Sequence, residues 1–79
     1  MLKVGSSGQD VRDLQEMLNL AVLLQPLLTV DGVFGPKTNA RVVLFQRQAK
    51  LVPDGIVGPK TSKALVGAVL AALAGPGNR

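Results

Sequence analysis

The sequence predicts an all-α fold: a small three-helix bundle with two equivalent Asp-Gly-x-x-Gly-Pro-Lys-Thr loops. Three observations carry this. The chain has 79 residues and no cysteine, so it holds one domain with an unstapled core. Asp31-Gly32-Val33-Phe34-Gly35-Pro36-Lys37-Thr38 returns as Asp54-Gly55-Ile56-Val57-Gly58-Pro59-Lys60-Thr61, six of eight residues identical at an offset of 23. A period of that size belongs to repeated supersecondary units. Between the breaker residues, apolar positions recur at helical spacing.

The first helix is expected to open near Ser7, with Asp10 as a capping-box partner three residues on. Val11, Leu14, Leu18 and Ala21–Val22 form its apolar stripe, Arg12 and Glu16 form an outward i,i+4 pair, and the helix ends before Pro26. Leu28-Thr29-Val30 reads as a short extended piece without an evident partner. Each repeat then supplies a turn, an apolar plug and a helix start. The Asp side chain can bond amides ahead of it, and the Gly accepts a positive φ. Val33-Phe34 or Ile56-Val57 can pin the loop to a core, and Pro suits the first helical position. The second helix is expected from Pro36 to about Lys50, with Val42, Phe45 and Ala49 on one stripe. The third is expected from Pro59 to about Ala74, with Gly75-Pro76-Gly77 stopping it.

Composition narrows the function. Histidine and cysteine are absent, and only five carboxylates are present. A self-sufficient catalytic site is therefore not expected, nor a metal site or a cofactor. The net charge is +4, but the nine basic residues are scattered and the only aromatics are Phe34 and Phe45. Nucleic-acid binding wants a clustered basic face or stacking rings, so it is not expected either. The start of the chain lacks the apolar stretch of a secretory signal. The longest apolar run, Ala64–Ala74, is too short to span a bilayer.

Leu2-Lys3-Val4-Gly5-Ser6-Ser7-Gly8, Val11-Arg12-Asp13-Leu14-Gln15, Leu18-Asn19, the two repeats, Val42, Phe45-Gln46, Leu51 and Leu65 resemble, in order, the peptidoglycan-binding domain family of the three-helix type. The resemblance runs over residues 2–65, followed by an apolar helix extension at 66–74 and a tail at 75–79. It implies a non-catalytic module that targets a wall hydrolase or machine to bacterial peptidoglycan, in the cell envelope or outside the cell. Carried over position by position, it marks Gln15, Asp31, Phe34, Gln46 and Asp54 as candidate ligand-binding residues, and Gly32, Gly35, Gly55 and Gly58 as turn glycines. For both Asp residues, capping their own turns is the simpler role. Each Gln can bond loop backbone or face a groove, and Phe34 can be a core plug or a sugar platform.

The alternative is a protein-docking subunit of a larger assembly, such as a phage tail or injection apparatus, that keeps the fold without the sugar site. From Ala64 to Ala74 the third helix is apolar on every face, and such a helix is normally buried all round. Val66, Leu70 and Leu73 are therefore expected to contact another chain, a second copy or a larger partner, unless the connection Leu23–Leu28 folds over them.

Overall fold

The computed structural model describes residues 1–74, and its three helices are α1 (Gln9–Ala21), α2 (Pro36–Gln48) and α3 (Pro59–Ala74). No strand longer than a single bridge occurs among the described residues. Helix α1 packs against both α2 and α3. Its face is Val11, Leu14 and Leu18, all buried, and they join Val22, Leu28, Phe34, Val42, Phe45, Val57 and Leu65 in one core. A core this small works because its largest side chains, Phe34, Leu18 and Leu65, are almost fully covered. The expected stop at Gly75-Pro76-Gly77 lies outside the described residues.

Four local expectations are corrected. Ser7 does not cap α1: the N-cap is Gly8, at φ 112°, and no side chain bonds the first turn. Ser7 is instead held extended, in a bridge to Val33. Helix α2 stops at Gln48, short of Lys50, because Lys50 turns left-handed at φ 60° and the Leu51 amide closes back on the Gln46 carbonyl at 2.8 Å. Arg12 leans over the first loop: a methyl group on Gly32 would sit 3.1 Å from its Cζ. Finally, only the second member of each apolar pair plugs the core. Phe34 and Val57 are buried, whereas Val33 is exposed and Ile56 half-buried.

The N-terminal segment straps the two plugs together. Leu2 and Val57 exchange both backbone hydrogen bonds, at 3.1 and 2.7 Å. Three and four residues on, Gly5 N–H donates to the Phe34 carbonyl and the Phe34 amide donates to the Ser6 carbonyl. The two loops are thus tied to one N-terminal segment, although they are 23 residues apart (Phe34 to Val57) in the chain.

The apolar connection after α1 is held by a residue the sequence reading left without a role. Arg41 is buried on α2, and its guanidinium donates to the carbonyls of Leu24 (3.3 Å) and Pro26 (2.9 Å). Those carbonyls have no helix or sheet to bond, so a buried cation satisfies them. Asn19 closes the far end, accepting from the Leu28 amide and donating to its carbonyl. The connection is therefore anchored to α1 and α2, and Leu23 remains 82% exposed. It does not cover α3, where Val66, Leu70 and Leu73 stay 47, 63 and 68% exposed.

Candidate functional site

Each loop is built on one glutamine, and the two constructions match bond for bond. Gln15, on α1, places Nε2 within 3.0 Å of Asp31 Oδ1 and 3.1 Å of both the Val33 carbonyl and Thr38 Oγ1. Its Oε1 accepts from the Gly32 amide at 3.0 Å. Gln46, on α2, repeats this with Asp54 (3.2 Å), Ile56 (3.0 Å), Thr61 (3.2 Å) and the Gly55 amide (3.0 Å). Each aspartate closes its own turn by accepting from the amide two residues on, Val33 at 3.0 Å and Ile56 at 2.9 Å. Gly32 and Gly55 share φ 76°, a left-handed value that a side chain resists.

This geometry places the candidate ligand-binding residues within the fold. Gln15 and Gln46 are each 1% exposed and Phe34 is 1% exposed. The buried amides answer loop donors and acceptors that would otherwise lack partners. Asp31 and Asp54 are exposed on their outer edge, while Oδ1 of each is committed to the loop. The Val33 amide, then the Gln15 amide group, hold the Asp31 carboxyl below its ordinary 3.8 against an opposing desolvation, with Asp31's own amide and Arg12 adding lesser lowering effects. Of the four turn glycines, Gly32 and Gly55 take the positive φ, while Gly35 is the extended N-cap of α2.

The accessible surface lies outside these glutamines, in two grooves. One, of about 380 Å³, is lined by Gln15, Leu28, Thr29, Asp31, Val33 and the Gly35–Thr38 segment. The other, of about 550 Å³, is lined by Met1, Leu51, Val52, Asp54, Ile56 and the Gly58–Thr61 segment. Apart from Gln15 and Met1, every lining residue of one has its counterpart in the other 23 positions away: Leu28 and Leu51, Thr29 and Val52, Val33 and Ile56, Lys37 and Lys60. The first groove also continues. A further cavity of about 500 Å³ shares Leu28, Thr29 and Lys37 with it and runs between the connection and α2, past Arg41 to Leu44. Lys37 thus stands in the middle of a trough.

Of the groove residues, the sequence marked Gln15, Asp31 and Asp54 as ligand contacts but not Leu28, Thr29, Val33, Lys37 or their counterparts. The signal was present in the repeat itself: of each apolar pair, one member must face out if the other plugs the core.

One edge of the trough is unpaired backbone. Thr29 and Val30 are exposed, and their backbone groups make no hydrogen bond with the described residues. A segment with free amides and carbonyls can bond the backbone of another chain. Sugar stacking has no platform, because both phenylalanines are buried.

Residues 7–65 match a family model described as a putative peptidoglycan binding domain. The crystal structure of the SleB N-terminal domain is similar, with 38% identity and a TM-score of 0.79 over 86% of this chain and 90% of that one. A peptidoglycan-binding protein from Clostridioides difficile, crystallised in complex with glutamine hydroxamate, is 41% identical with a TM-score of 0.72. That match covers 81% of this chain but 39% of the other, so the chain corresponds to a minor part of that protein. No curated protein matches the chain.

Proposed function

The chain belongs to the family of putative peptidoglycan binding domains, and from that premise we propose that it is a non-catalytic module that holds an associated hydrolase or machine on the bacterial wall. The ligand site is the first-loop trough, and the part of the polymer it grips is the stem peptide. The observation that carries this is the trough itself. It combines an apolar floor at Leu28, an exposed backbone free of hydrogen bonds at Thr29 and one central cation, Lys37. Stem peptides offer matching features: small apolar side chains, backbone amides and free carboxylates. Gln15 and Asp31 serve the site from beneath by fixing the loop that forms its wall.

Co-sedimentation with purified wall sacculi tests the reading. Lys37→Ala should weaken binding at least tenfold without lowering the melting temperature, since Lys37 is exposed. Sacculi stripped of stem peptides should not bind. Equal binding to the bare glycan overturns the stem-peptide assignment, and binding that vanishes at moderate salt for every variant points to a nonspecific basic surface.

One observation favours the second reading, a protein-docking subunit. Residues 66–74 lie beyond the family match, and Val66, Leu70 and Leu73 on that extension face solvent. A contiguous apolar face of this kind marks an interaction site. Under this reading the partner is the hydrolase or assembly protein, and Leu70→Glu abolishes its co-purification while leaving sacculus binding intact.

A further inference from the structure

The groove beside the second loop is a positional copy of the trough, and the proposed function leaves it without a role. Resting on the stem-peptide reading, we propose that it is a second stem-peptide site, so that one chain grips two stems at once. The floor is Leu51 in place of Leu28, and the outward wall is Ile56 in place of Val33. The cation is Lys60, exposed at the second position of α3 as Lys37 is at the second position of α2. A carboxylate answered by Lys37 in one groove is answered by Lys60 in the other.

The copies are not equal, and the differences define what the second site takes. Val52 replaces Thr29, which removes a hydroxyl. Pro53 has no N–H, and the Val52 carbonyl already accepts from the Asp54 amide at 2.9 Å, so the backbone there offers little to an extended chain. Met1 leans over the groove, its side chain 3.8 Å from the place a methyl group on Gly58 would occupy. The second site is thus a bowl that holds the small apolar side chains at the carboxylate end of a stem. The first site is a trough that also holds stem backbone. Two weak sites on one rigid domain give avidity on a polymer that presents many stems.

The experiment is a titration of the chain with a soluble disaccharide–peptide monomer, followed by backbone NMR shifts and by stoichiometry. Two sets of shifts are expected, one around Thr29–Thr38 and a weaker one around Val52–Thr61, with two ligands bound per chain. Lys60→Ala should erase the second set alone and Lys37→Ala the first alone. On sacculi each single variant should lose at least tenfold in affinity, and the double variant should not bind. A stoichiometry of one, with shifts confined to the first groove and sacculus binding indifferent to Lys60→Ala, overturns the second site and leaves the proposed function standing. Absence of shifts in both grooves overturns the stem-peptide reading and the second site together.

Discussion

The two repeats agree in the bonds that hold their loops and differ in their core plugs and in parts of their groove walls. Inward, Gln15 and Gln46 make the same bonds to the same four loop positions, and the loops share a φ of 76° at their glycines. Outward, Thr29 stands against Val52, exposed Val33 against half-buried Ile56, and a long anchored connection against a short one. The inward set is fixed by hydrogen-bond satisfaction. A buried amide that reaches four partners leaves no room for another residue type. The outward set lines the grooves and is free of that constraint. The shared bonds are therefore a statement about folding, while the differences fall partly in the core, at Phe34 and Val57, and partly in the groove walls.

The sharpest test of that division compares the plugs. Phe34 is 1% exposed and Val57 is 6% exposed, and both are strapped to the N-terminal segment. Phe34→Ala should cost about 3–5 kcal/mol, the range for a buried aromatic truncated to a methyl. That is most of the stability of so small a domain. Val57→Ala removes fewer atoms and should cost about 1–3 kcal/mol. Denaturant midpoints measure both. Equal losses would show that the second loop carries as much of the core as the first, and the comparison would fail.

Next in size are the glutamines. Gln15→Ala and Gln46→Ala each leave a buried glycine amide and a buried threonine hydroxyl short of a partner. Each should cost about 2–4 kcal/mol, and the two losses should agree within about 1 kcal/mol. Thermal unfolding is a sufficient measure, since about 1 kcal/mol moves the midpoint by roughly 4–8 °C in a domain this size. A Gln→Ala variant that keeps its midpoint but loses wall binding would reverse the assignment, making that glutamine a ligand contact.

Much of this fold was legible because breaker residues and apolar spacing pointed to the same three helices. Pro36 and Pro59 fixed two helix starts, since each can stand only at a first turn. The end of α2 was misread because nothing in Ala49-Lys50-Leu51 announces a left-handed lysine, a conformation imposed by the Leu51 bond to Gln46. The start of α1 was misread because Ser7 has two competing roles, and the bridge to Val33 outweighs the cap. The site was legible as a framework only. Gln15, Gln46 and both aspartates were singled out, yet their partners lie up to 23 residues away, as from Gln15 to Thr38, and sequence spacing does not say whether a glutamine points in or out. The role of Arg41 was not legible, since its partners are carbonyls of a connection whose path no pattern specifies.

The smallest expected effect separates the loops by charge. A methyl group on Gly32 would meet Arg12, whereas one on Gly55 would meet the neutral Asn39. The Asp31 carboxyl is held below 3.8 first by the Val33 amide and then by Gln15, with Arg12 the least of the contributions. A carboxyl whose pKa is depressed by folding stabilises the native state above its unfolded pKa. That contribution is lost as the pH falls through the lower, native value. The native chain should therefore lose stability as the pH drops below the ordinary 3.8 and through the lowered native value. Asp31→Asn keeps an oxygen for the Val33 amide but cannot ionise, so it should be less stable than the native chain at pH 7, and the gap should close over that window. Arg12→Ala should narrow the gap slightly at neutral pH, and more at low than at high ionic strength, because the pair is exposed and screened. Urea midpoints for the three proteins at pH 7, 4 and 2.5 measure this. If Asp31→Asn runs parallel to the native chain at all three, the loop does not depend on a charged carboxylate, and what remains between the repeats is the shape of their grooves.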